Sequence, residues 1–409
     1  MIPFLIFLLF LIPTVQYRFE LGAFSFALME PVALAVLALL LGRQLFVERR
    51  LVLLKNPLVL LFLGFMAWAV MTRPWSPNLT NGFSDLRDWG IPIAAFVLLV
   101  STVREGWEKY AKLYLAVGGL HALLAIYQVW TDSSRFFLTS GTALAKRAFF
   151  ATPDGILPLA SYGVGLFNHP NGLGYFIALQ LLIWLGLFLA SKPKTKILLL
   201  PLGVILAAAL YLSYAKTSIL FFLLLAPLLL LARRWNFHLT LAAVPLLGLL
   251  LSLSAFIIGY SGATDFALPV EFDTVLWRFR LWKDAVELLV ANPLILVVGN
   301  GDPALWDVRG LPFLHPHNLP LYFTLYYGLI GLGFLTAFTL LLSKIGLERA
   351  SMLRISPLLA ALFLGVSSLP VTGIIEALPN NVDMRMIFLN VCALFVGLLH
   401  EMLRKLGTE

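Results

Sequence analysis

Charge is scarce in this sequence. Asp, Glu, Lys and Arg make up 12% of its 409 residues, against about 25% in an ordinary soluble domain. Cysteine is scarcer still: Cys392 stands alone inside an apolar run, which excludes a disulfide framework and a thiolate metal cluster. No P-loop, glycine-rich dinucleotide fingerprint or Asp-x-Asp pair occurs, so nothing points to a nucleotide or nucleotide-sugar site. Internal repeats, low-complexity tracts and linkers are also missing, and the chain reads as one domain over 1–409.

Apolar residues make up 60% of the chain. Ile197 to Leu212, Ser218 to Leu231 and Leu239 to Tyr260 are nearly free of charge over most of the roughly 20 residues that a bilayer helix needs. The expected class is an all-α, polytopic membrane protein of about twelve spans, near 2–17, 21–43, 57–72, 90–103, 110–130, 171–191, 196–213, 217–232, 239–260, 319–343, 355–375 and 385–403. Met1 to Val15 has neither a basic leader nor a small-residue cleavage site, so it reads as a retained first span.

The net charge of +8 could suggest nucleic acid, but its distribution argues otherwise. With the N-terminus inside, the inside segments hold 17 of the 29 basic residues and 6 of the 21 acidic ones, a net +11 there and −3 elsewhere. Basic residues collect in short cytoplasmic loops. The basicity is therefore topogenic, and it places both termini in the cytoplasm. Two non-cytoplasmic loops are long, at about 131–168 and 261–318, and ordered long loops usually carry function.

In the second of these loops Asp273 can cap a helix running to about Ala291. Val275, Phe279, Trp282, Val286 and Leu289 form an amphipathic stripe on it. At about 100° per residue Arg278 flanks that stripe, whereas Arg280 points away, toward Asp284 at i+4. Arg278 is thus the arginine expected to face a buried anion. Farther on come Gly299-Asn300-Gly301 and His315-Pro316-His317-Asn318, followed by an apolar helix with Gly328, Gly331 and Gly333.

Histidine can shuttle a proton near neutral pH. Pro316 restricts His315 to extended geometry, so His315 and His317 point apart, and one of them is expected to be catalytic. A metal site built from His315, His317 and His169 lacks the helical spacing or acidic neighbours such sites use. Asp302 and Asp307 read as solvated loop residues. Glu30, inside a span, is costly in lipid and so a functional or packing candidate, and Glu376 and Arg385 flank the last outer loop, where they can pair across it or contact substrate.

His317-Asn318, nine residues, Gly328, two residues and Gly331 resemble the H-[N/S/Q]-x9-G-x-x-[G/T/Y] signature of the O-antigen ligase and O-antigen/exopolysaccharide polymerase superfamily. Eleven residues is about three helical turns, which would set His317 and Gly328 on one face, with glycines allowing helices to pack closely below. Arg278 to Trp282 is similar to that family's R-x3-W element, and Asn292-Pro293 with Gly299-x-Gly301 to its P-L-x-G-x-G-x-G segment. Phe167-Asn168-His169-Pro170-Asn171 resembles its F-x-x-P-N entry to a central span, and Ser213 to Ser218 its S-R element. The resemblance covers roughly residues 160–335. Lys216 stands where the family commonly has arginine, which keeps a charge but loses the planar fork. The family's arginine before the P-N element is missing, and Arg147 or Arg135 would have to substitute.

The resemblance implies a GT-C-like fold and an inverting glycosyltransferase that needs neither cofactor nor metal. Its donor would be a glycan on undecaprenyl diphosphate, at the periplasmic face of the bacterial inner membrane. It implies His317 as general base, with Arg278, Lys216, Arg280 and Arg147 on the diphosphate. Asn318, Trp282, Gly328, Gly331, His315 and Asn171 would support them. With a second lipid-linked repeat as acceptor the enzyme is a polymerase, with a chain-length regulator as a further partner; with lipid A core or protein as acceptor it is a ligase. Ala215-Lys216-Thr217-Ser218 looks more like the polymerases. A lipid-linked oligosaccharide flippase is a reading of another class, but such transporters usually carry related halves and midplane sites, and here the halves look unrelated.

Overall fold

The computed structural model describes residues 2–15, 18–21, 24–27, 29–47, 56–76, 79–103, 105–131, 148–152, 155–160, 163–167, 170–231, 238–261, 273–301, 316–372 and 382–407. Helices dominate them. In chain order they are α1 (Ile2–Leu11), α2 (Met29–Gly42), α3 (Pro57–Met71), α4 (Leu79–Thr102) and α5 (Trp107–Thr131). Next come α6 (Pro170–Ala190), α7 (Pro193–Leu212), α8 (Lys216–Leu231), α9 (His238–Ser261) and α10 (Asp273–Ala291). Last are α11 (Pro293–Val298), α12 (Leu319–Glu348), α13 (Ala350–Ile355), α14 (Pro357–Thr372) and α15 (Val382–Lys405).

Seven helices are long and apolar enough to cross a membrane: α2 with its π-turn, α5, α6, α7, α9, α12 and α15. Four more, α1 with its 3-10 turn, α3, α8 and α14, are apolar but shorter. This is the composition of a polytopic membrane protein. Large apolar side chains such as Leu60, Leu198, Leu223, Leu250 and Ile257 point outward, as they do where lipid replaces water. Inside, a large core cluster runs from Ile6 to Leu403, and a smaller one joins Leu5, Leu9, Met29, Val36 and Met386. In α15 nearly every side chain from Val382 to Leu399 is buried, so this helix is the central post of the bundle. It packs along α4, while α12 packs along α9 and α6 along α14.

Helix starts follow from local chemistry. Asn56 caps α3, accepting from Leu58 N at 2.9 Å with Pro57 in the first turn. Lys192 precedes Pro193 in the same way at α7. Proline is at home there because its missing N–H would have no helical partner.

Two short antiparallel hairpins accompany the helices. Arg18–Leu21 (β1) pairs with Phe24–Ala27 (β2), and Ala148–Thr152 (β3) with Gly155–Ala160 (β4). Two expected span boundaries need correction. The span expected from residue 21 begins at Met29, because Arg18 to Ala27 alternates with a two-residue period. The span expected from residue 90 belongs to a helix that starts at Leu79, so Asp85, Arg87 and Asp88 are helical rather than in a loop.

Candidate functional site

His317 lies one residue outside α12, and the chain fixes it from both sides. Before it, the carbonyl of Pro316 accepts from Trp282 Nε1 at 3.0 Å. After it, buried Asn318 caps α12: its Oδ1 accepts from Leu321 N at 3.0 Å, and its Nδ2 donates to Ser252 O of α9 at 2.9 Å. Trp282 is itself held by α10, whose buried face includes Leu281, Ala285, Val286 and Leu289. The tryptophan of the R-x3-W element thus clamps the residue before the histidine.

Between these two anchors His317 adopts φ +50°, in the left-handed region. A non-glycine side chain pays about 1–2 kcal/mol for that conformation. Strain of this kind gathers at functional sites, where surrounding contacts over-determine the backbone. His317 is half-buried as a residue, with its Nε2 turned inward and buried. Chemically, such a group can take a proton from a hydroxyl brought to it.

Below His317, α12 is broken rather than continuous. Gly328 has φ 69° and ψ −168° within it, a combination only glycine tolerates well. The carbonyls freed by the break are met from outside: Asn300 N donates to Leu325 O at 2.8 Å and Gly301 N to Tyr326 O at 2.9 Å. Trp68 Nε1 of α3 donates to Tyr327 O at 2.8 Å. Gly299, at φ +82°, comes so close that an added Cβ would stand 2.4 Å from Tyr326 O, and one on Gly328 would stand 2.2 Å from Val297 O. The two glycine motifs therefore interlock. This corrects the sequence expectation for Gly328: it kinks the backbone against the 299–301 segment, and the shared helical face drawn from His317 does not exist, because His317 precedes the helix and Gly328 interrupts it. Gly331, where the helix resumes, is equally tight, with Tyr327 Cβ 2.2 Å from where its own Cβ would be.

A buried ion cluster stands beside the break. Asp85 Oδ1 receives Arg385 Nη2 at 2.8 Å, and its Oδ2 receives Arg73 Nη2 at 3.2 Å and the Tyr327 hydroxyl. Arg385 also donates to Tyr322 Oη at 2.6 Å and lies over the Trp89 ring at 4.3 Å. Arg73 donates to the carbonyls of Ala69, at 2.8 Å, and Gly301. One carboxylate thus ties the turn after α3, the first turns of α4, the top of α15 and the α12 break. Burial pushes Asp85 up, but Arg385 and Arg73 beside it hold its carboxyl below the ordinary value. Burial dominates at Asp88 and raises it despite Arg385 and Arg87. Both acids precede the apolar part of α4 that begins at Trp89.

Of the other expected residues, Arg278 is half-buried and Arg280 exposed on α10. The Arg280–Asp284 pair is not formed among the described residues, whereas Lys283 and Glu287 approach to 4.0 Å on the same helix. Lys216 is exposed in the first turn of α8, after Tyr214 at φ +51°. Asn171 is half-buried in the first turn of α6. Glu30 pairs with Arg87 at 3.1 Å, which explains its tolerance inside an apolar helix. Arg385 pairs with Asp85, and its expected pairing across the last outer loop falls on Glu376, outside the described residues. Arg147, His315, Arg135, His169, Asp302, Asp307 and Glu376 lie outside the described residues.

Sequence reading missed Trp68, Arg73, Asp85, Tyr322 and Tyr327. The signal that could have found them was Asp85 and Asp88 at helical spacing just before an apolar run. The chain matches no family model and no curated protein.

Proposed function

We propose that this chain is a twelve-span glycosyltransferase of the bacterial inner membrane that polymerises undecaprenyl-diphosphate-linked repeat units at the periplasmic face. The twelve spans are the seven long apolar helices, the four shorter ones and α4 from Trp89 onward. One observation carries the functional reading. Four segments of the resemblance (Arg278 to Trp282, Gly299 to Gly301, His317-Asn318 and Gly328 to Gly331) meet at two places along α12: Trp282 bonds to the carbonyl before strained, half-buried His317, and farther along the helix Gly299 to Gly301 interlock with the break at Gly328.

In the proposed reaction His317 takes the proton of an acceptor sugar hydroxyl. The hydroxyl oxygen bonds to the anomeric carbon of the donor as the bond to the diphosphate oxygen breaks, and the configuration inverts. Negative charge grows on the leaving diphosphate. Arg278 and Lys216, with Arg280 and Arg147, stabilise it in a site partly screened from water, where charge-assisted contacts are strong. The reading supports repeat-unit transfer onto a second lipid-linked glycan, with both termini in the cytoplasm.

The test is reconstitution in vesicles with a purified lipid-linked repeat unit, with and without a lipid A core acceptor, and with EDTA in parallel. Growth of repeat-unit ladders without the core supports the polymerase. Transfer only when the core is present makes the chain a ligase, and loss of ladders with EDTA overturns the metal-free mechanism. No glycan transfer under any condition overturns the proposal.

A further inference from the structure

Topology explains why cations collect at one end of the bundle, but not how they are paired there, because Asp and Glu contribute little to orientation. The pairing is uneven. Gln128, near the far end of α5, donates to Gly165 O at 2.7 Å just before α6, so α6 ends and α7 begins at the Trp107 end of the bundle. At that end Lys112 meets Glu108 at 2.7 Å, Arg404 meets Glu105 at 2.6 Å and Lys405 meets Glu401 at 2.7 Å. Where α6 turns into α7 the balance fails. Lys192, Lys194 and Lys196 stand together, and residues 155–264 contain no Asp or Glu. Among the described residues no carboxylate pairs with any of the three.

Lys192 and Lys194 are exposed, while Lys196 is half-buried and sets its ammonium over the Phe188 ring at 5.5 Å. Phe188 stacks on Trp184, whose indole donates to Leu199 O of α7 at 2.8 Å, so an aromatic pair braces the corner. Immediately beyond the lysines the surface is apolar: Ile197, Leu198, Leu200 and Val204 are all more than half exposed. Of the seven long apolar helices α7 is the least buried. A cationic rim beside an open apolar face matches the two-part chemistry of a phospholipid, with a headgroup phosphate at the ammonium groups and an acyl chain along the helix. A soluble anion would use the rim and leave the face uncovered.

We infer that the α6–α7 corner binds an anionic phospholipid, with Lys192, Lys194 and Lys196 on the headgroup and the exposed face of α7 on an acyl chain. This holds whether or not the chain transfers glycans. Each lysine near an anionic lipid surface contributes about five-fold in binding. With no acid beside them, the three keep their full charge for the phosphate.

The test is native mass spectrometry of the full chain released from mixed micelles that hold equal amounts of phosphatidylglycerol and phosphatidylethanolamine. The parent should retain phosphatidylglycerol several-fold over phosphatidylethanolamine. The triple variant Lys192→Gln, Lys194→Gln, Lys196→Gln should lose that preference, and it should fold, since two of the positions are exposed and the third half-buried. A control, Lys112→Gln, Lys344→Gln, Arg404→Gln, removes three cations that have acidic partners and should keep the preference. A preference that survives the first triple variant, or that the control loses equally, overturns the inference. Soluble glycerol phosphate in place of the lipid should not be retained. Retention equal to the lipid's would make the corner a free-anion site and overturn the inference as well.

Discussion

Replacing Gly328 by alanine tests the break in α12 most severely. The residue sits at φ 69° and ψ −168°, a region essentially reserved for glycine, where another residue pays about 1–3 kcal/mol. To that is added a steric term. An alanine Cβ would lie 2.2 Å from Val297 O and 2.6 Å from Gly299 N, both backbone atoms that cannot swing aside. Separating them strains the bonds Asn300 N to Leu325 O and Gly301 N to Tyr326 O, each worth about 1 kcal/mol. The total, about 3–5 kcal/mol, is at the top of the range for single substitutions. Gly333, five residues on, has nothing within 4 Å of an added Cβ. Gly333→Ala should therefore be neutral, or stabilise by about 0.5–1 kcal/mol through helix propensity. The assay is the temperature at which each detergent-solubilised protein loses its monodisperse peak in size-exclusion chromatography. Gly328→Ala should fall far below the parent and Gly333→Ala should match or exceed it. Equal behaviour of the two variants would refute the interlocked backbone.

Trp282→Phe keeps the aromatic packing but leaves the Pro316 carbonyl without its donor, so stability should fall by about 1–3 kcal/mol in the same chromatographic assay. Glycan transfer should fall with it, and unchanged transfer would detach the tryptophan from His317. Asp85→Asn leaves Arg73 and Arg385 facing a neutral amide, and removing one partner from a buried pair costs about 3–5 kcal/mol. The protein should lose monodispersity or expression; full stability would show the cluster to be dispensable. Arg278→Ala should abolish donor turnover in the reconstituted assay while Arg280→Ala is mild, since the first is half-buried and the second exposed. Equal losses would sink the distinction between them.

The membrane class was plain in the sequence, because long apolar runs joined by one-sided basic loops are what a bundle crossing a bilayer requires. The α10 helix was also legible: a 3–4 spacing of apolar residues says which face is buried, and Trp282, Val286 and Leu289 lie on it. His317, Trp282, Gly301 and Gly328 could be named one by one but not assembled. Trp282 and Pro316 meet across 34 residues of chain, and no local period records a pairing of that kind.

Gly328 was misread for a physical reason. Periodicity sees an unbroken apolar helix from Leu319 onward, and only the backbone angles show that it kinks at Gly328. Asp85 was missed because a carboxylate before an apolar run resembles a solvated loop residue. Its partner Arg385 is 300 residues away and 1% exposed. The strand pair near the N-terminus was overridden by hydrophobicity, which made Leu21 to Ala27 look like the start of a span.

The central claim is that His317 acts as the base. His317→Asn removes the imidazole while asparagine tolerates φ +50° better than alanine would, so the turn from Pro316 to Asn318 should keep its shape. Turnover of a purified lipid-linked repeat unit is measured for this variant and the parent in matched vesicles, after both pass the same size-exclusion test. The account predicts a loss of roughly 10²–10⁴-fold, the contribution of a positioned general base. Turnover equal to the parent's would contradict it.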